Sequence, residues 1–420
     1  MEDLAVSAPS VGPACRSCTA PLSHIVADLG MTPLANSYVE ASQLSASEPF
    51  FPLRAFVCER CLLVQLEEFE SPESIFTDYA YFSSYSDSWL AHARAYVEAI
   101  SERLGLDGST QVVEIASNDG YLLQYFKARG IPVLGVDPAA NVARVAVERG
   151  IPTEVRFFGE ATARDLAARG VRPRLLLGNN VLAHVPDLND FVRGLQVLLP
   201  PGGVITMEFP HLLRLMTENQ FDTIYHEHFS YFSLIAVEQV FARHGLTLFD
   251  VEEIPTHGGS LRIFARHGRE DAPPVSGRAG ALRAREADAG LRRLATYSAF
   301  DEQVKRTKRA LLRFLIELKE QGKSVVGYGA AAKGNTLLNY CGVGRDFLDY
   351  VVDRSPHKQG RHLPGTRIPI LHPDALGETR PDVVLILPWN IKHEVMEQMA
   401  HIREWGGRFA VPIPEVAVHP

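Results

Sequence analysis

Between residues 111 and 209 the chain alternates short apolar segments with helical ones, and this alternation restricts the possible folds more than any other feature. Such alternation is typical of a mostly parallel sheet with helices on both faces. We therefore predict an α/β fold with a doubly wound central sheet. A first strand is predicted within 111–120, further strands at 131–138, 175–180 and 203–209, and helices at 121–129 and 191–199.

Polar residues follow the ends of these predicted strands, where ligands bind in doubly wound sheets. Asp137 ends the second strand about 20 residues beyond a turn-forming loop, which suits hydrogen bonding to ribose hydroxyls. The dinucleotide fingerprint GxGxxG is absent, and Glu114-x-Ala116-x-x-x-Gly120 stands in its place. This arrangement resembles motif I of the class I S-adenosylmethionine methyltransferases. The resemblance implies a cofactor site formed by Glu114, Ala116, Ser117, Asn118, Gly120, Asp137, Pro138, Asn179 and Asn180.

Two CxxC pairs lie near the N-terminus, Cys15 with Cys18 and Cys58 with Cys61. Each short turn lets two thiolates point at one tetrahedral ion, so the pairs predict a zinc site. Four thiolates close the coordination sphere, and the zinc is therefore expected to be structural. The 39 residues between the pairs predict a small inserted lobe within a zinc-binding domain at 1–75.

The segment Tyr225-His226-Glu227-His228 places a phenol, two imidazoles and a carboxylate in four consecutive residues. Neighbouring side chains point to different faces of a helix or strand, so no regular element would bury all four. These are the usual proton-transfer groups, and the rim of a pocket is their natural place. The alternative is a polar loop whose side chains hydrogen-bond one another.

A strip of aromatic and hydroxyl residues covers 76–86 and includes Tyr79. It predicts either an interdomain packing segment or a lid over an active site to which Tyr79 offers a hydroxyl. His184 follows Asn179 and Asn180 at a strand end, which favours a functional role over one in merely holding a turn.

A charged helical hairpin is predicted from about 270 to 322, followed by a second nucleotide-binding βα fold. A strand beginning near Lys323 runs into a glycine- and alanine-rich turn that contains Lys333. Small residues let backbone amides approach a phosphate, and the lysine supplies a countercharge. A tight strand–helix joint is the alternative. The predicted substrate residues here are Lys333, Asn335, Asp353, Trp389 and Asn390.

The net charge of −8 argues against a general nucleic-acid or acidic-membrane surface. No apolar run approaches the roughly 18 residues of a membrane helix. The first 13 residues lack the pattern of a signal peptide, so we expect a cytoplasmic protein. It is expected to bind neither nucleic acid nor membrane and to be a monomer or a weak homo-oligomer.

Several motifs occur in an order that closely resembles the zinc-containing, S-adenosylmethionine-dependent sugar C-methyltransferases of deoxysugar biosynthesis, a family that includes a C-3'-methyltransferase of tetronitrose formation. In that family alanine is the expected residue at the position of Ala116. The resemblance implies a zinc-binding domain at 1–75, a methyltransferase domain at 76–270, and a helical linker with a nucleotide-sugar-binding domain at 271–420. The motifs are the two CxxC pairs and the segments 78–83, 114–120, 179–184, 225–232 and 257–262.

The resemblance also implies the substrate and the reaction. The substrate would be a dTDP-linked 4-keto deoxysugar, methylated through a base-generated enolate at a carbon beside the ketone, with C3' as the expected position. By residue-for-residue matching, His228 is the candidate base, and Glu227 would orient it or tune its pKa. Tyr225, Tyr79 and His184 would line the pocket and donate to the keto oxygen or bind hydroxyls, whereas His226 is expected to point away.

Four alternatives remain at this point. The first is C5-methylation of the same substrate class, and the second is O- or N-methylation of a sugar with the same cofactor fold. A nicotinamide oxidoreductase would use the C-terminal nucleotide fold, although GxGxxG is absent there too. A zinc-ribbon interaction module is the non-enzyme alternative.

Overall fold

The computed structural model describes residues 12–71, 82–268 and 274–420. Tyr79, predicted to face the substrate, lies outside these residues. The strands are β1 His24–Thr32, β2 Phe51–Val57, β3 Val64–Leu66, β4 Gln111–Ile115, β5 Val133–Asp137, β6 Thr153–Val155, β7 Pro173–Asn179, β8 Val204–Pro210, β9 Ser230–Tyr231, β10 Leu246–Ile254, β11 Ser260–His267, β12 Val325–Tyr328, β13 Val351–Val352, β14 Ile370–Leu371, β15 Val383–Ile386, β16 Arg408–Val411 and β17 Ala417–His419.

The α-helices are α1 Asp87–Leu104, α2 Leu123–Ala128, α3 Ala140–Glu148, α4 Glu160–Ala168, α5 Leu188–Leu198, α6 Leu212–Thr217, α7 Leu234–Ala242, α8 Gly277–Asp288, α9 Leu294–Glu320, α10 Ala332–Cys341, α11 Ala375–Thr379 and α12 Lys392–Gln398. Short 3₁₀ helices include Leu182–His184, Phe221–Thr223 and Trp389–Ile391. In the described residues no helix combines the length and the apolar character needed to cross a membrane.

Local sequence sets several helix ends. The Ser86 hydroxyl accepts the Trp89 N–H at the start of α1, and Ser233 and Ser276 cap α7 and α8 in the same way. Each cap satisfies a backbone donor that the first helical turn leaves without a partner. Gly105 ends α1 in the left-handed region, where glycine carries no side-chain penalty.

The central sheet has the order β10-β11-β8-β7-β4-β5-β6. The five strands from β8 to β6 are parallel, while β11 pairs antiparallel with β8 and β10 antiparallel with β11. The predicted doubly wound sheet is confirmed. The carboxyl ends of β4, β5 and β7 meet at one edge, and the residues that follow these strands lie there together.

The C-terminal sheet has the order β14-β13-β12-β15-β16-β17, with β17 as its antiparallel edge. Its first five strands are parallel. The crossover at β12 produces a second doubly wound lobe, as the glycine- and alanine-rich turn after β12 indicated.

The N-terminal sheet is antiparallel and has the order β1-β2-β3-β9. Its fourth strand, β9, comes from residues that directly follow the Tyr225–His228 segment. The α9 helix packs against β1, and Tyr297, Val304 and Leu311 share one apolar core with β1, β2 and the C-terminal lobe. Tertiary pairing therefore joins the N-terminal lobe to chain segments far beyond residue 75.

Candidate active site

The four paired cysteines converge at one point of the N-terminal lobe. Their Sγ atoms all lie within 4.8 Å of one another, with 3.5 Å between Cys15 and Cys61 and 3.4 Å between Cys18 and Cys58. Four sulfurs about 2.3 Å from a tetrahedral zinc would be about 3.8 Å apart, so this donor set fits the ion. The amide of Gln65 donates to Cys15 Sγ at 3.2 Å and supports the cluster from β3.

A cavity of about 800 Å³ lies where the three lobes meet. The central sheet contributes the residues that follow β4, β5 and β7, and the 225–228 segment forms a wall beside them. The N-terminal lobe contributes Asn36 and Tyr38, and the C-terminal lobe contributes Lys333 and Lys358. Of the residues predicted from the sequence, the cavity is lined by Ala116, Asn118, Asp137, Pro138, Asn179, Asn180, His184, Tyr225, Glu227, His228 and Lys333.

The loop after β4 is built by unusual backbone angles. Ala116 and Asn118 have φ values of 58° and 49°, and Gly120 has 77°. Asp137, at the end of β5, accepts the Asn118 and Ala139 N–H groups at 2.9 Å each. Burial raises the pKa of Asp137 to about 6. The loop and the acid form a polar edge of the cavity.

Glu114, Ser117 and Gly120 were predicted to bind the cofactor, but they are buried and do not line the cavity. Burial, and after it the nearby Asp137 charge, raises the pKa of Glu114 well above its usual range. Gly120 has a left-handed φ of 77°, which glycine adopts without strain, and a Cβ there would also lie 2.4 Å from Ile151 Cδ1. These buried residues therefore support the loop without lining the cavity.

His228 lies in a cluster of tilted and edge-on rings on the cavity wall. Its Nδ1–H donates to the Thr223 carbonyl at 2.8 Å, which leaves Nε2 as the basic nitrogen. The ring centroid lies 4.0 Å from that of Tyr225 and 4.7 Å from that of His184. Burial, and next the neighbouring His184, holds the pKa of His228 well below its usual value, so the imidazole is neutral at pH 7. A neutral imidazole with a fixed tautomer can accept a proton.

Glu227 occupies the same wall but does not orient His228, because the Thr223 carbonyl holds that ring. Its carboxylate, 5% exposed, instead accepts the Asn36 Nδ2–H at 2.7 Å. Burial raises the pKa of Glu227 to about 7 and the Asn36 hydrogen bond opposes the rise. His226 points away, as predicted, since its ring lies 5.8 Å from Phe51 in the N-terminal lobe.

His257 also lines the cavity, although the sequence left the role of 257–260 open. It has a φ of 55°, and its Nε2 accepts the Asn180 Nδ2–H at 2.6 Å. Burial lowers the pKa of both His257 and His184 to about 4. The following Gly258 has a φ of 91°, and a Cβ there would lie 2.5 Å from Trp389. Gly258 therefore lets this backbone turn pack directly against the C-terminal lobe.

The C-terminal wall carries two lysines. Lys333 Nζ donates to Asn390 Oδ1 at 2.7 Å and lies 4.6 Å from the Trp389 ring centroid. Burial lowers the pKa of Lys333. Lys358, which the sequence did not single out, donates to the Ala330 carbonyl at 2.8 Å. Together with the turn before α10, the lysines form a cationic end of the cavity.

Four predicted substrate residues, Asn335, Asp353, Trp389 and Asn390, lie behind this wall and do not line the cavity. Asn335 Nδ2 donates to the Ala35 carbonyl at 2.6 Å, and Asp353 accepts the Ala330 N–H at 2.8 Å. Trp389 Nε1 donates to Asp222 Oδ2 at 2.8 Å. Their contacts hold the turns that carry the lysines.

The cavity is also lined by four residues that were not predicted from the sequence: Asn36, Tyr38, Trp89 and Lys358. None of them belongs to a chemically distinctive motif, so a single sequence offered no signal for them. Ser83, at the end of the aromatic strip, also lines the cavity, and its N–H donates to Asn118 Oδ1 at 2.9 Å.

Three family models match successive parts of the chain. Residues 15–76 match the "Putative zinc binding domain", residues 89–251 the "Methyltransferase domain", and residues 255–414 the "C-methyltransferase C-terminal domain". Over 404 residues the chain is 38% identical to the C-methyltransferase NovU of Streptomyces niveus, with 96% of each chain covered. The chain belongs to this C-methyltransferase family.

Two further similarities cover only part of the chain. A ubiquinone biosynthesis O-methyltransferase of Methylobacterium is 33% identical over 97 residues, 22% of this chain and 38% of the relative. The crystal structure of magnesium protoporphyrin IX methyltransferase from Synechocystis is 15% identical, covers 43% of this chain and 82% of the other, and has a TM-score of 0.32. The enzyme class rests on the full-length relative and the family models: this is an S-adenosylmethionine-dependent C-methyltransferase with a zinc-binding cysteine cluster.

Proposed function

We propose that this enzyme methylates C3' of a dTDP-linked 4-keto deoxysugar during branched deoxysugar biosynthesis. The observation that carries the proposal is the placement of His228, neutral and basic at Nε2, in one cavity between the cofactor loop and the two lysines. The full-length similarity to a C-methyltransferase and the resemblance of the motifs to sugar C-methyltransferases support the same reaction class.

The chemistry requires an acidic carbon. A saturated sugar carbon becomes acidic only beside a ketone, where removal of the proton gives an enolate. S-adenosylmethionine supplies the electrophilic methyl group when bound. A positioned base contributes typically about 10²–10⁴-fold to such a step, and donors aimed at the enolate oxygen contribute a comparable factor.

We assign roles to the cavity residues accordingly. His228 removes the proton at Nε2 and keeps its Nδ1 proton on Thr223. The carboxylate of Glu227 in the same low-dielectric cavity favours the imidazolium that forms. Tyr225 and His184 pack on the two sides of the His228 ring and offer hydrogen bonds to the substrate. Tyr79 is proposed as a further substrate ligand from the sequence alone.

The cationic end of the cavity is proposed to bind the diphosphate of the sugar nucleotide. Lys333 and Lys358 supply charge, and the small residues Ala331 and Ala332 leave the start of α10 open to an anion. The sugar would then extend towards His228. This arrangement supports the division into a zinc-binding domain at 1–75, a methyltransferase domain at 76–270 and a nucleotide-sugar-binding region at 271–420.

Replacing Lys333 should weaken substrate binding selectively. We expect Lys333→Ala to raise the Kd for a dTDP-linked sugar about 10- to 100-fold, because a charged hydrogen-bonding partner is lost. The affinity for S-adenosylmethionine should not change. Isothermal titration calorimetry measures both, with Lys305→Ala, an exposed position on α9, as the control. Unchanged affinity for the nucleotide sugar would remove Lys333 from the site.

The converse result is expected for the cofactor loop. Asp137→Asn keeps the shape of the side chain but removes the charge that accepts ribose hydroxyls, so affinity for S-adenosylmethionine should fall about tenfold or more. Affinity for the nucleotide sugar should be retained. Asp165→Asn, at an exposed position of α4, is the matched control. Equal cofactor affinity in Asp137→Asn and wild type would contradict the role of Asp137.

The substrate and the methylated carbon are tested together with a panel of dTDP-linked keto and non-keto sugars. Mass spectrometry detects transfer, and NMR of the product locates the new methyl group. Transfer to keto sugars alone, at C3', is the expected result. Methylation at C5', or on oxygen or nitrogen, would overturn the corresponding part of the proposal. A cytoplasmic location and a monomeric or weakly associating state remain predictions.

A further inference from the structure

We propose that Asn36, a residue of the zinc-binding lobe, is a positioning residue for the reaction that keeps the Glu227 carboxylate oriented and ionisable in the cavity. This inference rests on the proposed function of the 225–228 segment. It assigns the zinc-binding lobe a direct part in the active site, in addition to its structural role.

The geometry at Glu227 carries the inference. Asn36 Nδ2 lies 2.7 Å from Glu227 Oε1, within the range of a strong hydrogen bond to a charged acceptor. Asn36 itself follows β1 on an exposed connection, so it reaches a buried carboxylate from another lobe. An amide donor stabilises the ionised carboxylate against the cost of burial.

The Asn36 amide contacts a residue of its own lobe on its other side. Tyr38 OH lies 3.3 Å from Asn36 Oδ1 and 2.5 Å from the Ala330 carbonyl, to which it donates. Lys358 donates to the same carbonyl at 2.8 Å. Since the oxygen of the amide faces Tyr38, its nitrogen faces Glu227. Asn36 therefore contacts Glu227 on one side and Tyr38 on the other, and Tyr38 reaches the C-terminal lobe at Ala330.

Asn36 opposes the effect of burial on the ionisation of Glu227. The titratable side chains that line the cavity together with Glu227 are Tyr38 of the N-terminal lobe, Lys333 and Lys358 of the C-terminal lobe, and, from the central domain, Tyr121, Asp137, Arg156, His184, Asp187, Asp190, Tyr225, His228 and His257. Burial drives the pKa of Glu227 upwards, and the Asn36 hydrogen bond is the opposing influence. Without it, the carboxyl should hold its proton to higher pH.

The test compares Asn36→Leu, which keeps side-chain size but cannot donate, with Asn36→Gln, which restores an amide. Gln43→Leu, on the exposed 3₁₀ helix Ala41–Gln43 of the same lobe, is the matched control. NMR of protein labelled with ¹³C at glutamate carboxyls follows the titration of Glu227, identified by the signal lost in Glu227→Gln. This measurement needs no substrate.

In Asn36→Leu we expect the Glu227 titration and the acid limb of the kcat profile to move up by about one pH unit. The rate should fall about fivefold at pH 7 and recover at high pH, whereas Gln43→Leu behaves as wild type and Asn36→Gln recovers part of the shift. Zinc content and cofactor affinity should not change in Asn36→Leu. An unmoved Glu227 titration would overturn the inference, as would a loss of rate equal at all pH values. If the titration moves but no keto sugar is methylated by the wild type, the effect of Asn36 on the ionisation of Glu227 stands and the proposed function fails.

Discussion

His228→Asn should abolish exchange of the substrate's α-proton with solvent deuterium. Asparagine can still donate to the Thr223 carbonyl but has no basic nitrogen, so the proton has no acceptor at the position of Nε2. We expect the exchange rate to fall by about 10²-fold or more. Mass spectrometry of a dTDP-linked 4-keto sugar incubated with the enzyme in deuterium oxide measures the exchange directly.

The chain offers a matched control two residues away. His226 is also buried, but its ring packs against Phe51 and Phe69 and does not line the cavity. His226→Asn should therefore retain exchange. S-adenosylmethionine should bind to both variants with wild-type affinity. Exchange that survives in His228→Asn would move the base to another residue, with Glu227 as the next candidate because its pKa of about 7 also suits a base.

The second large effect is expected at the cysteine cluster. Cys61→Ser removes one of four zinc ligands, and a structural zinc site contributes on the order of 10 kcal/mol to folding. A small lobe cannot replace this free energy through its hydrophobic core, because even whole domains have free energies of unfolding of only about 5–15 kcal/mol. We expect zinc loss, unfolding of the N-terminal lobe and loss of methyl transfer, measured by elemental analysis, circular dichroism and the methylation assay.

Cys341→Ser is the control, because it removes a thiol that does not belong to the zinc cluster. Cys341 is buried in α10, outside the cluster, and burial raises the pKa of its thiol to about 12. That variant should keep its zinc and its activity. A Cys61→Ser protein that retained full zinc content, or a zinc-free protein that kept its fold, would contradict a four-thiolate structural site.

Patterns local in the sequence predicted most of the architecture. The strand–helix alternation after Gln111 and the glycine- and alanine-rich turn before Lys333 identified both doubly wound sheets, and the CxxC spacing identified the metal ligands. The ends of strands also placed Asn118 and Asp137 at the cavity correctly. In each case the signal is a periodicity or a spacing set by one secondary structure element.

Contacts between distant segments were not predictable in the same way. Asn36 and Glu227 are 191 residues apart, and an asparagine in a connection gives no sign of its partner. The hydrogen bond from His228 to a backbone carbonyl could not be predicted for a related reason. The sequence suggests side-chain partners such as Glu227, but every residue has a carbonyl, so no residue type marks the one that accepts. Trp389 and Asn390 were chosen for their place after a strand, but tertiary packing directs Trp389 towards Asp222.

The pairing of β9 with β3 has a consequence for biosynthesis. Val64 is opposite Tyr231 and Gln65 opposite Ser230, so the N-terminal sheet lacks its last strand until Tyr231 has left the ribosome. Until then the four cysteines belong to a lobe in which the edge of β3 is unpaired, and unpaired strand edges can pair with other chains. A nascent chain truncated before residue 230 should aggregate more readily than one that extends past it. The zinc-binding lobe is thus synthesised early, but its sheet can be completed only after more than half of the chain has been translated.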